Sequence, residues 1–159
     1  LVPALKDLGP YAGVYCSLMD RACGSMCTIV KALGIERVTC IDELGQMGNL
    51  DADGAVIAYP GHENDDVITW QNQGYKAIGM VWKEVTSGGL AEVTVLGKKP
   101  THNKTALIFS HRPILAGLVA VAKGITDAPG IQQILDNPNL VKNGFIIFKY
   151  NYTNLVLVE

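Results

Sequence analysis

Charged side chains and aromatic rings are both sparse in this chain. Only 18% of its 159 residues are Asp, Glu, Lys or Arg and 7% are aromatic, while 48% are hydrophobic, a composition that disfavours disorder and a coiled coil. The formal net charge of -2 gives no overall field that would attract nucleic acid. Any bound anion must therefore be held by a local arrangement of side chains. We expect one globular domain, residues 1–159, with no nucleic-acid partner.

Long hydrophobic runs are also missing. The most apolar run, Pro113 to Val121, is too short to span a bilayer and is soon followed by Lys123. The sequence does not open with the charged and apolar regions of a signal peptide. We therefore expect a soluble cytoplasmic protein without a membrane partner.

Cysteine is scarce, and its spacing does not predict a disulfide framework. The four cysteines are Cys16, Cys23, Cys27 and Cys40, a pattern typical of reduced thiols in a cytoplasmic protein. Cys23 and Cys27 would share a helix face and could supply half of a metal site, but no second pair of ligands follows. We interpret the four as small buried hydrophobic residues and expect neither a metal nor a cofactor.

Hydrophobic periodicity alternates between strand and helix along the chain. Strands are predicted at 13–16, 37–41, 90–96, 105–109, 145–150 and 154–158, and helices at 1–9, 17–33, 65–85, from Pro113 onward, and at 130–136. A glycine-rich and acidic loop at 42–54 is long enough to line a site. This order predicts a three-layer α/β fold with a mostly parallel sheet flanked by helices.

The turn Ser110-His111-Arg112 is the most informative local feature. A predicted buried strand ends at Phe109, and an apolar helix is predicted to begin at Pro113. Such strand-to-helix turns lie at the carboxyl edge of a parallel sheet, where ligands bind and where helix N–H groups favour anions. The turn therefore predicts an anion site, and a phosphate would suit it.

Two segments of the chain share the pattern of a known family. Segment 14–22, VYCSLMDRA, precedes a helix ending in ALG at 32–34, and segment 105–111, TALIFSH, precedes an apolar helix. They resemble two blocks of the histidine phosphatase superfamily, the phosphoglycerate mutase-like fold. Between them, DELGQM at 42–47 and PGHE at 60–63 resemble the acidic loop and the P-G-x-E element of that family. The closing segment, 143–159, resembles its terminal strand pair.

The resemblance implies roles for individual residues. Arg21 would clamp a phosphate, and His111 would be the second, non-nucleophilic histidine of the catalytic site. Ser110 and Arg112, on the same turn, are further candidate phosphate contacts. Gln46 stands at the proton-donor position and cannot donate a proton, so Glu43 is the candidate acid. The implied ligand is a phosphorylated small molecule or a phosphoprotein.

One element of the family pattern does not occur in this sequence. The nucleophilic histidine of the family belongs to an Arg-His-Gly motif on its first strand, and no such motif is present. Two hypotheses follow. The protein is a phosphatase or mutase-like enzyme whose first strand lies upstream of Leu1 or on another chain, or it is an inactive relative that binds a phospholigand as a scaffold.

Structural interpretations of the same residues stay open at this point. Arg21 could be an ordinary surface arginine, His111 a histidine at the edge of the core, and Glu43 a solvated loop acid. Arg112 could fill the pocket by pairing with Glu43 or Glu63 instead of binding phosphate.

Overall fold

The computed structural model describes residues 1–45, 48–50, 56–58, 64–87, 105–137, 145–151 and 153–158. The predicted strand at 90–96 and the PGHE segment at 60–63 lie outside these ranges. The helices are α1 (Val2–Leu8), α2 (Asp20–Leu33), α3 (Val67–Ser87), α4 (Arg112–Lys123) and α5 (Ala128–Asp136). The strands are β1 (Gly13–Cys16), β2 (Thr39–Cys40), β3 (Gly48–Leu50), β4 (Val56–Ala58), β5 (Ala106–Phe109), β6 (Phe148–Tyr150) and β7 (Leu155–Leu157).

A three-stranded parallel sheet lies at the centre of the described structure. Its strand order is β2-β1-β5, and β1 pairs with β5 from Gly13 opposite Ala106 to Cys16 opposite Phe109. Two antiparallel pairs, β3 with β4 and β6 with β7, accompany it. The prediction of an α/β fold with a parallel sheet is confirmed.

Helices cover both faces of this sheet because successive strand residues point in opposite directions. Val14 and Cys16 of β1 pack against the buried face of α2, whereas Tyr15 between them packs against α3. Residues of β5 alternate in the same way, with Leu107 on the α2 side and Ile108 on the α3 side. The alternation therefore produces a helix layer on each side of the strands.

The largest hydrophobic cluster joins α3, α4 and α5. Ile114 and Leu118 of α4 are almost completely buried, and Ile131 and Leu135 of α5 pack into the same cluster. Leu155 of β7 also belongs to this cluster. The β6–β7 hairpin therefore packs against the same layer of helices as β5 does. Among the described residues, no helix has both the length and the apolar character needed to cross a membrane.

Capping interactions set the helix ends. The segment predicted as helical from Ser17 becomes helical only at Asp20, and the Ser17 hydroxyl instead accepts a hydrogen bond from the N–H of Met19 (3.2 Å). Helix α5 begins two residues before the predicted Gly130, because the Asp127 carboxylate accepts the Gly130 N–H (2.9 Å) as an N-cap. As predicted, α2 ends at a glycine: Gly34 has a left-handed backbone (φ 69°).

The prediction of four buried cysteines is wrong for two of them. Cys16 is fully buried in β1, and Cys23 is half-buried in α2. Cys27 lies on the exposed face of α2, and Cys40 is exposed at the end of edge strand β2. Cys27 is exposed because it lies outside the buried face of α2, which contains Ala22, Met26 and Val30.

The contact between α3 and α4 depends on the absence of a side chain at Gly117. A Cβ at this position would lie 2.7 Å from Gln71 Cα, so Gly117→Ala must push the two helices apart. We expect it to lower the free energy of unfolding by about 1–3 kcal/mol, measured by chemical denaturation. The matched control is Gly24→Ala on the exposed face of α2, where a Cβ meets nothing within 4 Å. This control should raise stability by about 0.5–1 kcal/mol, and equal effects of the two substitutions would contradict the packing argument.

Candidate functional site

Polar residues follow two neighbouring parallel strands at the same edge of the sheet. Ser17 comes directly after β1, and Ser110 and His111 come directly after β5. The Ser17 N–H donates to the Phe109 carbonyl oxygen at 3.0 Å, which extends the β1–β5 pairing by one bond. Parallel strands end at a common edge, so this bond brings the segments after both strands together.

His111 and Ser17 form a buried hydrogen-bonded pair. His111 Nε2 lies 2.9 Å from Ser17 Oγ. Ser17 is 0% exposed and His111 is 8% exposed, so water competes little for this bond. Because Ser17 Oγ also accepts the Met19 N–H, the orientation of the imidazole is fixed by the chain between β1 and α2.

The environment of His111 favours the neutral imidazole. Burial lowers the pKa of His111 below its usual 6.5, and the positive charge of Arg21 lowers it further. An uncharged ring can accept a hydrogen bond from the Ser17 hydroxyl at Nε2 when its own proton is on Nδ1. The Arg21 guanidinium therefore acts on the imidazole through its charge.

A groove of about 950 Å³ runs from this edge between the two helix layers. Residues 105–112 form one wall and residues 145–150 another, and we call it the central groove. At the carboxyl end of β5, its lining includes Arg21, Ser25, Ser110, His111 and Arg112. Of the four predicted phosphate contacts, Arg21 and Arg112 carry a positive charge and His111 can gain one. The structure therefore brings together residues that are 90 positions apart in the sequence, Arg21 and His111.

Two helices begin at the polar end of the central groove. Helix α2 follows Met19 and α4 follows His111, and neither N-cap side chain caps its own helix. The first-turn N–H groups of a helix have no intrahelical acceptor and carry partial positive charge. The starts of these two helices thus add partial positive charge near Arg21 and Arg112, although Asp20 in the first turn of α2 offsets part of it.

Two residues of the turn are already engaged with the backbone. Ser110 Oγ donates to the Leu44 carbonyl oxygen at 2.8 Å and holds the turn that follows β2. One Arg112 amino group donates to the Asn137 carbonyl oxygen at 3.0 Å, at the end of α5. Arg112 Nε is buried and has no hydrogen-bond partner among the described residues. Arg112 therefore ties α4 to α5 while it lines the groove.

Glu43 lies apart from this group. Its carboxylate forms an ion pair with Lys76 at 3.1 Å, and it lines a separate cavity of about 550 Å³. A hydrogen bond from its own backbone N–H and another from Lys76 lower the pKa of Glu43, which favours the ionised form over a proton donor. The amide of Gln73 fixes this segment by donating to the carbonyl oxygens of Glu43 (3.0 Å) and Gly45 (2.9 Å). Gln46 and Glu63 lie outside the described residues.

Ser17 is the member of the site that the sequence did not single out. Ser17 directly follows β1 as Ser110 directly follows β5. This shared position at the end of a strand is the sequence signal that could have identified Ser17. A serine hydroxyl within reach of a histidine nitrogen is also the arrangement of an activated nucleophile. Complete burial of Ser17 prevents a substrate from reaching its oxygen, so we assign it to positioning His111.

Within the described ranges, no three Asp, Glu, His or Cys side chains lie close enough together to hold a metal ion. Comparison of the chain with models of protein families, with curated proteins and with solved structures found no match.

The lowered pKa of His111 predicts a pH dependence of stability. Between the folded pKa and 6.5 the unfolded chain binds more protons, so the free energy of unfolding falls as pH drops through this window. His111→Gln keeps a hydrogen-bonding side chain and removes the titration. We expect chemical denaturation at about pH 7.5 and about pH 5.5 to show a smaller loss of stability in the variant than in the wild type. Identical losses in both proteins would exclude His111 as the group responsible.

Proposed function

We propose that the polar end of the central groove binds a phosphoryl group carried by a phosphorylated small molecule or a phosphoprotein. The observation that carries this proposal is the meeting of Arg21 from α2 with His111 and Arg112 from the start of α4 in one groove. The resemblance of segments 14–22 and 105–111 to the histidine phosphatase superfamily supports the same ligand and a phosphoglycerate mutase-like fold.

Arg21 supplies the main electrostatic attraction in this proposal. A guanidinium offers a planar fork of N–H donors that matches two phosphate oxygens, with a fixed charge at every physiological pH. The exposed position of Arg21 lets a ligand reach it from solvent. The N–H groups at the starts of α2 and α4 add donors that need no proton transfer.

His111 gives the proposed site a dependence on pH. Without a ligand, burial and Arg21 both oppose protonation of the imidazole. A phosphate dianion in the groove reverses the local charge, so it raises the pKa of His111 and favours uptake of a proton. Binding should therefore strengthen as pH falls toward 6, until the phosphate itself gains a proton.

The resemblance to the histidine phosphatase superfamily also supports a second proposal, the hydrolysis of phosphate monoesters. It requires a nucleophile, and Ser17 is too deeply buried to act as one. An active phosphatase would therefore take its nucleophilic histidine from outside the described residues. The inactive alternative, a phospholigand-binding or scaffold protein, requires only the groups already assembled at the groove.

Substitution of Arg21 tests the binding proposal. Because a hydrogen-bonded ion pair contributes about 1.5–3 kcal/mol, Arg21→Ala should weaken binding of inorganic phosphate and phenyl phosphate by about ten-fold or more. The measurement is calorimetric titration at low ionic strength. The matched control is Arg37→Ala, which removes the same charge from an exposed position at the opposite end of the sheet, before β2. Equal affinity in the wild type, Arg21→Ala and Arg37→Ala would contradict the proposal.

Turnover of an aryl phosphate separates binding from hydrolysis. If the chain supports catalysis, hydrolysis of p-nitrophenyl phosphate should fall by about 10²-fold or more in His111→Gln, since the helper histidine stabilises charge in the transition state. Binding of phosphate by a wild-type protein that gives no turnover would favour the scaffold alternative.

A further inference from the structure

The four cysteines of the chain, all free thiols, lie around the end of β1. Cys16 is the last residue of β1, and Cys40 is its register partner on β2. Cys23 of α2 packs against the hydrophobic cluster that contains Cys16, and Cys27 follows one helical turn later. Burial raises the pKa of Cys16, and charge interactions with the other three thiols raise it further. The fold thus gathers cysteines that are up to 24 residues apart in the sequence.

Cys16 and Cys23 are in direct contact through their side chains. A hydrogen bond joins the two thiols, and Cys23 Sγ in turn donates to the Ser17 carbonyl oxygen at 3.3 Å. Two sulfur atoms within hydrogen-bonding distance need only a small rotation of their side chains to reach the geometry of a disulfide. Cys16 and Cys23 are therefore already placed for an S–S bond.

Two other pairings of these cysteines have less suitable geometry. A disulfide holds its two Cβ atoms about 3.5–4.5 Å apart. Cys23 and Cys27, one turn apart on a helix, have Cβ atoms about 5–6 Å apart. Cys16 and Cys40 lie opposite each other on neighbouring strands, which are about 4.8 Å apart. All four cysteines belong to the described part of the chain, and no three of them can hold a metal ion.

Cys16 and Cys23 differ in their access to solvent. Cys23 is half-buried on α2, whereas Cys16 is 0% exposed. Burial is the main cause that raises the pKa of Cys16 to about 12, so this thiol keeps its proton at neutral pH. A buried, protonated thiol is inert toward an oxidant in solution. An oxidant that reaches this pair therefore reacts first with Cys23.

We propose that a hydroperoxide oxidises Cys23 and that Cys16 then forms a disulfide with it. In the first step the Cys23 sulfur attacks the O–O bond, which breaks to give a sulfenic acid on Cys23 and one molecule of water or alcohol. In the second step the Cys16 sulfur displaces the hydroxyl group of the sulfenic acid, which leaves as water with the Cys16 proton. The two electrons that the thiols lose reduce the O–O bond. This reaction goes beyond the binding of a phosphoryl group and does not depend on it.

The disulfide would also change the support of His111. A disulfide sulfur carries no hydrogen, so the Ser17 carbonyl oxygen loses the bond that Cys23 donates in the reduced chain. The hydroxyl of the same Ser17 is bonded to His111 Nε2 and to the Met19 N–H. Oxidation therefore acts on the segment between β1 and α2 that orients the imidazole, and the environment of His111 should differ between the two redox states.

Thiol counting and peptide mapping test the disulfide. After treatment of the reduced chain with hydrogen peroxide, the number of free thiols in denaturant should fall from four to two. The mass of the chain should fall by that of two hydrogen atoms. Trypsin cleaves after Arg21, so after the free thiols are blocked the disulfide should link the peptide of residues 7–21 to that of residues 22–31.

Two serine variants on α2 assign the bond. Cys23→Ser keeps a donor beside the Ser17 carbonyl oxygen but cannot form the disulfide, so loss of the Cys16 thiol should be at least about ten-fold slower. The matched control is Cys27→Ser, the same substitution one turn later on the exposed face of α2. It should form the link between the two peptides at the wild-type rate, which identifies Cys23 as the linked residue of peptide 22–31.

NMR signals of the His111 imidazole, assigned by their absence from His111→Gln, test the effect on the candidate site. They should shift when the disulfide forms and return when dithiothreitol reduces it. Methionine sulfoxide needs a dedicated reductase, so a shift caused by methionine oxidation would persist in dithiothreitol. In Cys23→Ser, peroxide should leave the His111 signals where they are.

Three results would overturn the inference. The first is oxidation that leaves Cys16 as a free thiol, with Cys23 in a sulfinic acid or a mixed disulfide. The second is a link that involves Cys27 or Cys40, shown by its loss in Cys27→Ser or by a peptide that contains residue 40. The third is a disulfide between Cys16 and Cys23 that leaves the His111 signals unchanged, which would contradict the coupling to the site.

Discussion

The parallel pairing of β1 with β5 positions both the candidate site and the helices that pack on the two faces of these strands. Four residue pairs in register carry the pairing to the bond from the Ser17 N–H to the Phe109 carbonyl oxygen. Because His111 follows Phe109 by two residues, the same register brings its ring against Ser17. A shift of one residue would exchange the two faces of β5 and move Leu107 from the α2 layer to the α3 layer. The core and the candidate site therefore depend on one register.

The electrostatics at the end of this pairing are compatible with the proposed binding of an anion. His111 is buried beside the charge of Arg21, and both conditions lower its pKa and favour the neutral ring. A neutral imidazole adds no further repulsion to an electropositive pocket, so the folded chain tolerates the pocket without a ligand. If an anion binds as proposed, its charge and a proton gained by His111 would stabilise each other. In the proposed site Arg21 would attract the anion and, together with burial of the ring, oppose protonation of His111 before the anion binds.

Local patterns predicted the elements of the fold better than the partners of individual side chains. The apolar run before Ser110 and the helix after it were sufficient to place a turn at the carboxyl edge of the sheet. The destinations of Arg112 and Glu43 could not be predicted in this way. Arg112 reaches Asn137 because α4 packs against α5, and Glu43 reaches Lys76 because α3 packs beside the turn after β2. Both contacts depend on helix packing, which periodicity in one segment does not encode.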